Sequence, residues 1–277
     1  MLQTDDLCLC SGTFPNAGYR ELLSAVSKAG FKGLSLWPAH YETALSEGLS
    51  VADMALMLDD YGLQLSEFDA LITLLPGDNY DKPDIPMYKY DADFFLDFAS
   101  QLAARSINVV QFYGPSTPYE EAGGLFSGFC DRAAKHDLLV SLEFLPWSGI
   151  PDLASAAKII EVAGADNGGI NLDTWHFHRS GAVPEDLRVL PKGSVVTMQI
   201  NDAVAEPWDD VLAETMQARA FPGEGVINVK TILTELRNMA CTAPVSIEVF
   251  NRNFAEMSVE QAVQLLGDKL RSFIAGT

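Results

Sequence analysis

The sequence predicts a single-domain (β/α)8 TIM barrel over residues 1–277, and two observations lead to this fold class. Short apolar, strand-like runs alternate with amphipathic helical stretches along the whole chain, with eight of each. Polar residues also stand at the C-terminal ends of the last four runs, which suits a closed barrel interior better than a flat sheet. A doubly wound sheet is the competing architecture. Because no linker, low-complexity segment or internal repeat interrupts the pattern, we predict one domain.

The alternation can be followed element by element. The predicted strands lie at residues 7–11, 31–37, 63–69, 107–113, 138–144, 168–173, 194–201 and 244–250. The predicted helices lie at residues 17–29, 50–60, 91–104, 119–136, 152–164, 226–239 and 258–274, and a weaker stretch at 183–190 completes the set. Helix-start signals support two of them, because Asp152 stands at the start of the fifth helix and Ser258 at the start of the last.

Three of the predicted connections are long, at residues 70–90, 113–120 and 201–225. They follow the third, fourth and seventh strands, so in a barrel they lie at the C-terminal face, where active sites are built. We expect them to cover a pocket or to form an oligomer contact.

The composition is strongly acidic, with 18 Lys and Arg against 38 Asp and Glu and a formal charge of −20. Such a surface repels nucleic acids and anionic membranes, so neither is an expected partner. The sequence contains no apolar run of 18 residues and its first residues lack the features of a signal peptide, which favours a cytoplasmic protein. The cysteines form no metal-binding motif and are expected to be buried, reduced thiols; they are Cys8, Cys10, Cys130 and Cys241.

Polar residues at the ends of the last four predicted strands are the main functional signal. They are Glu143 in VSLEF, Asp173 in INLDTW, Gln199 in VTMQIND and Glu248 in VSIEVF, preceded two positions earlier by Ser141, Asn171, Thr197 and Ser246. Residues i and i−2 of a strand face the same side, so each strand carries a polar stripe at the same end. Leaving one such group buried and unpaired costs about 1–3 kcal/mol, which indicates a shared partner where the stripes meet.

Three carboxylates and an amide oxygen predict a divalent cation held by Glu143, Asp173, Gln199 and Glu248. Oxygen ligands favour Mg²⁺, Mn²⁺ or Co²⁺ over a zinc site rich in Cys or His, and Mn²⁺ is the ion we expect. Such an ion polarises a carbonyl and stabilises the enediolate formed when the adjacent C–H loses its proton. Glu143 or Glu248 would remove that proton as the catalytic base. A structural hydrogen-bonding role is the alternative for each single acid.

Two residues beyond the strand ends are candidates for catalysis and binding. His176 lies three residues after Asp173 and is expected to turn back over the ion as a catalytic proton shuttle or hydroxyl-binding group. Arg219 precedes the PGEG sequence and is expected to bind a substrate carboxylate or oxyanion. A local loop role is the alternative for both.

Aromatic residues after two other strands are candidates for the pocket wall. Trp37 and His40 follow the second predicted strand, and Trp147 follows the fifth. We expect these three side chains to contact the substrate, with ordinary packing as the alternative. Glu67, at the end of the third strand, is a further acid with no assigned role.

These motifs resemble the xylose-isomerase-like TIM-barrel superfamily, the sugar phosphate isomerases and epimerases, over essentially the full length. The resemblance is carried by LEF with Glu143, LDTWH with Asp173 and His176, QIND with Gln199, RAFPGEG with Arg219 and IEVF with Glu248. In that superfamily a Glu–Asp–His–Glu set binds Mn²⁺, Mg²⁺ or Co²⁺, and both glutamates act as bases in ketose 3-epimerases. The resemblance therefore implies these roles for Glu143, Asp173 and Glu248, and a polyhydroxylated carbonyl compound as substrate.

Gln199 departs from this pattern, because it stands where the epimerases have a histidine. A Glu–Asp–Gln–Glu set is similar to that of bacterial 3-dehydroshikimate dehydratases, so a hydro-lyase is the alternative to a metal-dependent isomerase or epimerase. Arg219 would suit the carboxylate of such a keto acid. The zinc endonucleases of the superfamily are disfavoured by the charge of −20 and by only 4 histidines. A non-catalytic metal-binding subunit is the third hypothesis, and the resemblance also allows a homo-oligomer.

Overall fold

The chain forms a closed barrel of eight parallel strands in sequential order, which confirms the predicted fold class. The computed structural model describes residues 2–76 and 86–276. The strands are β1 (Leu7–Cys10), β2 (Gly33–Leu36), β3 (Gln64–Leu71), β4 (Ser106–Val110), β5 (Leu139–Glu143), β6 (Gly168–Asp173), β7 (Val195–Ile200) and β8 (Val245–Ile247). Each predicted strand run contains one of them or overlaps it.

Helices surround the barrel and follow its strands. They are α1 (Tyr19–Lys28), α2 (Pro38–Ser46), α3 (Val51–Asp60), α4 (Pro86–Lys89), α5 (Ala92–Gln101), α6 (Tyr119–Ala133), α7 (Leu153–Ala163), α8 (Thr174–Arg179), α9 (Val211–Gln217), α10 (Val229–Asn238) and α11 (Val259–Ala275). Short 3-10 helices occupy Ser11–Thr13, Ala134–His136, Pro184–Val189 and Arg252–Glu256. The weak stretch predicted at 183–190 is therefore a 3-10 helix, and no α-helix separates α8 from β7 in this described part of the chain.

The outer helices form where an apolar stripe repeats at helical spacing and a capping side chain starts the first turn. In α1 the buried stripe consists of Tyr19, Leu22, Leu23 and Val26, which fall on one face of a helix. Asp152 caps α7 through its carboxylate, which accepts a 2.8 Å hydrogen bond from the backbone N–H of Ser155. Ser258 caps α11 in the same manner, accepting from the N–H of Gln261. These are the two helix starts that the sequence indicated.

The strands alternate between an apolar outer face and a polar inner face. In β5, Val140 and Leu142 belong to the main hydrophobic core between barrel and helices. Ser141 and Glu143 alternate with them and face inward, and Ser141 Oγ lies 3.0 Å from Glu67 Oε2 of β3, across the barrel. The polar stripes predicted from the sequence therefore line the barrel interior.

A second, smaller group of buried apolar residues lies apart from the main core. We call it the upper apolar cluster; it consists of Ala70, Ile72, Val110 and Leu145, from segments at the C-terminal ends of β3, β4 and β5. Met87, Tyr88, Phe112 and Trp147 pack against it. Trp147 also packs against the main core, so this side chain joins the two groups.

Two further expectations concern cysteines and membranes. All 4 cysteines are free and buried, as expected. Within residues 2–76 and 86–276, none of the helices has the length and apolar character needed to cross a membrane.

Candidate active site

The four predicted strand-end residues lie at the same end of neighbouring strands. Asp173 of β6 is paired in register with Gln199 of β7, which is paired in turn with Ser246 of β8. Glu143 ends β5, and Glu248 directly follows β8. All four side chains are buried, so their charges and hydrogen bonds depend on one another rather than on solvent.

Asp173 places His176 over this group. One carboxylate oxygen of Asp173 accepts hydrogen bonds from the backbone N–H groups of Trp175 at 2.8 Å and His176 at 2.9 Å, which makes Asp173 the N-cap of α8. The first turn of the helix thereby folds back beside the strand end. The His176 ring lies 5.3 Å from the Trp147 ring, and its Nε2 lies 3.5 Å from Glu143 Oε1.

Three of these side chains form a group with the spacing of metal ligands. Ligand atoms of Glu143, Asp173 and His176 all lie within 4.8 Å of one another, and all three residues are buried. Carboxylate oxygens and an unprotonated imidazole nitrogen are electron-pair donors that a divalent cation can bridge. The sequence analysis predicted that His176 acts on the substrate. It did not predict that His176 would be a potential metal ligand.

Arg219 supplies a buried positive charge to the same site. Its Nη1 donates to Asp173 Oδ2 at 2.8 Å and to Glu248 Oε2 at 2.9 Å. Its Nη2 donates to Thr215 Oγ1 at 2.7 Å and lies 3.3 Å from His176 Nε2. Since an arginine can only donate, His176 Nε2 is the acceptor and the imidazole carries its proton on Nδ1.

The backbone around Arg219 is fixed by the segments that follow β7 and β8. Its N–H donates to the carbonyl of Phe250 at 3.0 Å, and its carbonyl accepts from Asn251 Nδ2 at 2.9 Å. The Asp202 carboxylate accepts from the N–H groups of Gly223 and Gly225, both at 3.0 Å. This ties the PGEG loop to the end of β7. Gly225 cannot carry a side chain, because a Cβ atom would lie 2.2 Å from a carbonyl oxygen.

Gln199 contacts Glu248 but not the group of three potential ligands. Its carbonyl oxygen accepts a 3.0 Å hydrogen bond from Asn171 Nδ2, and its Nε2 lies 3.4 Å from Glu248 Oε1. The amide therefore faces Glu248 with its nitrogen. The predicted role of Gln199 as a metal ligand stays a prediction.

The pKa values of the buried carboxyl groups are shifted in different directions. Burial raises the pKa of Glu143 well above its usual range, and the charges of neighbouring carboxylates, Asp69 first, raise it further. Burial also raises the pKa of Glu248 to about 8, against the lowering effect of Arg219. Asp173 behaves differently: burial acts to raise its pKa, but Arg219 and further hydrogen bonds hold the pKa below the usual value.

Burial lowers the pKa of His176, whereas it raises the pKa values of the glutamates. Burial lowers the pKa of His176 to about 3, and the Arg219 charge contributes to the lowering although Asp173 opposes it. The ring is therefore neutral at pH 7 and can offer a lone pair.

The donor set fits a divalent cation. Burial is the main cause of the raised pKa values of Glu143 and Glu248, and the charges of neighbouring carboxylates raise both further. His176 Nε2 and Glu143 Oε1 lie 3.5 Å apart, and Nε2 also accepts from Arg219 Nη2 at 3.3 Å. A bound cation would favour the ionised form of Glu143. Glu143, Asp173 and His176 are the residues that would hold it.

Asp69 is a further site residue that the sequence analysis did not single out. Its carboxylate accepts from Trp37 Nε1 at 2.9 Å and from Asn108 Nδ2 at 2.9 Å, and Asn108 Nδ2 also donates to Glu143 Oε2 at 2.7 Å. Burial raises the pKa of Asp69 to about 6. A signal was present, because Asp69 follows Glu67 by two positions and Asn108 follows Ser106 by two, as in the other polar stripes.

A cavity of about 300 Å³ opens above these residues. Trp37, Trp147, His176 and Arg219 line it, together with Glu143 and Glu248, whereas Asp173 and Gln199 are not among its described lining residues; the roles predicted for these residues stay predictions. His40 is not among the lining residues in the described part of the chain. It is fully buried, with Nδ1 accepting from the Trp37 N–H at 3.0 Å and Nε2 lying 3.1 Å from the Phe14 carbonyl.

The predicted long connections contribute to the cavity wall. Met87 and Tyr88 come from the 70–90 connection, Tyr113 from the 113–120 connection and Met216 from the 201–225 connection. Residues 77–85 of the first connection lie outside the described residues.

Fold and site together define a TIM barrel with a buried carboxylate, histidine and arginine centre at its C-terminal mouth. Residues 23–271 match the family described as xylose isomerase-like TIM barrel. The chain belongs to this family.

Two groups of enzymes are among its sequence relatives. The chain is 30% identical over 138 residues to an inosose isomerase of Halalkalibacterium halodurans, a stretch that covers 49% of this chain and 48% of that enzyme. The chain thus spans about half the length of the inosose isomerases it matches. It is 25% identical over 254 residues to a 3-dehydroshikimate dehydratase of Pseudomonas aeruginosa, covering 88% of this chain and 37% of the dehydratase.

Solved structures share the fold at lower identity. The IolI protein with a bound zinc atom superposes with a TM-score of 0.85 at 19% identity, over 98% of each chain. D-psicose 3-epimerase superposes with a TM-score of 0.71 at 16% identity, over 96% of this chain and 97% of that chain. These similarities show the fold.

Proposed function

We propose that this chain is a divalent-metal-dependent isomerase or epimerase that moves a proton at a carbon next to a carbonyl. The observation that carries the proposal is the pair of buried glutamates, Glu143 and Glu248, which line one cavity beside His176 and Arg219. Burial raises the pKa of both carboxyl groups, that of Glu248 to about 8, and a raised pKa makes a carboxylate a stronger general base. The similarity to inosose isomerases supports this class of reaction.

In this proposal each residue has a separate task. Glu143 or Glu248 removes the proton, and the other returns it to the neighbouring carbon or to the opposite face. Arg219 holds Glu248 in place through the 2.9 Å hydrogen bond to Oε2, and Oε1, which has the Gln199 amide nitrogen at 3.4 Å, would face the substrate. A bound divalent ion, for which we propose Mn²⁺, would polarise the carbonyl and acidify the adjacent C–H. The closed end of the cavity excludes water from the carbanionic species.

A hydro-lyase is the second candidate, and Asp69 favours it. Loss of water from a β-hydroxy ketone needs an acid for the departing hydroxyl as well as a base for the proton. Asp69 lines the cavity with a pKa raised to about 6 by burial, so it can supply that proton. The match to the 3-dehydroshikimate dehydratase, which covers 88% of the chain, supports this candidate too.

Solvent exchange distinguishes the candidates. The protein is incubated with Mn²⁺ in D₂O and a panel of ketoses, inososes and 3-dehydroshikimate, and proton NMR spectra are recorded after removal of protein and metal. Deuterium next to the carbonyl with the carbon skeleton intact supports the isomerase or epimerase. A new vinylic or aromatic signal with loss of water supports the hydro-lyase. Bound metal without either change would favour a non-catalytic subunit.

A further inference from the structure

The cavity above the site is lined by two kinds of residues, charged ones and apolar ones. Its floor carries the charged groups and an imidazole, which are Asp69, Glu143, His176, Arg219 and Glu248. Its wall is largely apolar and includes the whole upper apolar cluster, Ala70, Ile72, Val110 and Leu145, together with Phe112 and Trp147; the lining residues with hydroxyl groups are Tyr88, Tyr113 and Thr215. Among the described residues, a ligand that fills this cavity therefore meets charged groups at one end and mostly carbon along its sides.

The indole N–H groups in the wall are already engaged. Trp37 Nε1 donates to Asp69 Oδ2 at 2.9 Å, and Trp147 Nε1 donates to the Phe112 carbonyl at 3.0 Å. Both side chains thus present carbon surface of their rings to a ligand. A hydroxyl placed against such a surface loses its hydrogen bonds to water and gains none in return, which weakens binding. A substrate hydroxylated at every carbon would meet this cost repeatedly.

The upper apolar cluster is also separate from the packing that holds the barrel together. Its four buried residues form a group distinct from the main core. Small apolar clusters apart from the main core commonly lie under long loops, but here all four residues also line the cavity, which indicates a surface for a ligand. The rings of Phe112 and Trp147, 5.9 Å apart and nearly perpendicular, add edges and faces suited to an aromatic partner.

We propose that the substrate is a hydroxy ketone with an aromatic ring on the side away from the reacting carbons. This inference rests on the proposed function, because the polar floor is taken as the place of the hydroxy-carbonyl group. The ring lies along the wall, where it loses no hydrogen bonds to water. The cavity volume of about 300 Å³ is at the lower end for small-molecule sites, which suits a single ring with a short polar chain.

A matched pair of ligands tests the proposal through binding alone. 2-Hydroxyacetophenone and dihydroxyacetone are both hydroxymethyl ketones. The second substituent of the carbonyl is a phenyl group in the former and another hydroxymethyl group in the latter. Ligand-observed NMR titration, with EDTA and again with Mg²⁺, should give at least about tenfold tighter binding for the phenyl compound, or about 1.4 kcal/mol. Equal binding, tighter binding of dihydroxyacetone, or no binding of either compound would overturn the proposal.

Two methionines provide variants with little risk to folding. Met216 lines the cavity and is 43% exposed, whereas Met257 is 39% exposed and is not one of its lining residues. Met216→Gln should weaken binding of the phenyl compound by about threefold without changing binding of dihydroxyacetone. Met257→Gln should change neither. If both substitutions weakened binding of the phenyl compound equally, the cavity wall would not be the surface that binds the phenyl ring.

A buried pair of variants gives the larger effect. Leu145→Asn places an amide in the wall at similar volume, and Leu145→Met keeps the wall apolar. The asparagine variant should lower the preference for the phenyl compound at least about fivefold, while the methionine variant retains it. Circular dichroism establishes that each protein is folded before the titration, and an unchanged preference in folded Leu145→Asn would refute the assignment of the wall.

Deuterium exchange separates failure of this inference from failure of the proposed function. Base removal of a proton from the hydroxymethyl carbon, followed by return of deuterium from solvent, exchanges C–H for C–D in both ketones. Exchange of both compounds without a binding preference would uphold proton transfer and refute the aromatic wall. A clear binding preference without exchange of any ketone would uphold the wall and refute the proposed function.

Discussion

Glu67 and Glu143 are two buried glutamates of the same barrel interior, and they have different surroundings. Ser141 Oγ lies 3.0 Å from both Glu67 Oε2 and Asn108 Oδ1, and Asn108 Nδ2 donates to Glu143 Oε2. The two acids are thus linked through two side chains and are almost equally buried, at 4% and 6% exposure.

The difference lies in what each carboxylate faces. Glu67 lines a cavity of only about 10 Å³, among the hydroxyl groups of Ser66, Thr197 and Ser246. Glu143 lines the cavity of about 300 Å³ and has His176 at 3.5 Å. Burial raises the pKa of both, so a raised pKa alone does not identify a catalytic acid. Access to a space that holds a ligand distinguishes the two.

The largest expected effect is on activity. Glu143→Gln should lower the rate of solvent exchange by about 10²–10⁴-fold, because the base is lost, and should abolish metal binding measured by calorimetry. Glu67→Gln should stay within about tenfold of the native rate, since its carboxylate does not reach the large cavity. Native exchange in Glu143→Gln, or equal losses in both variants, would end the distinction between the two acids.

Removal of Arg219 should produce the largest effect on stability. Arg219→Met leaves Asp173 and Glu248 buried without their cation, which should lower the free energy of unfolding by about 3–5 kcal/mol in urea titrations with EDTA. The control is Arg132→Met, because Arg132 pairs with Asp93 at the surface with 42% of its side chain exposed. Such a pair contributes about 0–1 kcal/mol. Similar losses in the two variants would contradict a structural role for the buried guanidinium.

The pH dependence of stability should distinguish Glu67 from surface acids. Burial raises the pKa of Glu67 from 4.5 to about 8. Between these values the folded protein keeps a proton that the unfolded chain has released, so the free energy of unfolding decreases as the pH rises. Glu67→Gln removes this contribution and should flatten the profile by up to about 1.4 kcal/mol per pH unit, whereas Glu121→Gln on the exposed face of α6 should not. Parallel profiles for native protein and Glu67→Gln would show that Glu67 is ionised throughout.

The smallest expected effect concerns metal preference. Gln199→His should retain metal binding and raise the affinity ratio of Zn²⁺ over Mn²⁺ by about tenfold, because imidazole is a softer ligand than an amide oxygen. Competition calorimetry with both ions measures this affinity ratio. A second variant, Asn171→Asp, changes the residue that donates a hydrogen bond to the Gln199 carbonyl oxygen. An unchanged ratio would place Gln199 outside the ligand shell. Complete loss of metal would mean that its present contact with Glu248 is needed for the site.

The fold could be predicted because its signal is repeated along the chain. Every strand of a barrel buries one apolar face. The eight apolar runs in the sequence therefore predicted the eight strands, although the predicted first and last residues of several strands were wrong. The run predicted at 244–250 is longer than β8, Val245–Ile247, and beyond it Asn251 forms an antiparallel bridge with Ala218. The short helices α2, α8 and α9 have too few turns to show a clear period and were not predicted.

The site was predictable where side-chain direction follows from the strand. Glu143, Asp173 and Glu248 needed only the alternation of faces. The directions of Arg219 and His40 depend on loops and helix starts, for which the sequence gives no comparable rule. Arg219 was expected to point at a substrate, and it contacts Asp173 and Glu248. His40 was expected at the pocket, and its ring hydrogen-bonds the backbone at the start of α2.

The separation of the upper apolar cluster from the main core has a consequence for how this protein can change over generations. Substitutions in groups that share no partners have nearly additive effects on stability. Substitutions at Ile72 or Val110, which line the cavity, should therefore change stability by amounts that add to those of substitutions in the main core, except near Trp147, which packs against both groups. A stabilising substitution in the main core can thus offset the cost of a change in the cavity wall, so that the wall can vary in one small domain without loss of the fold.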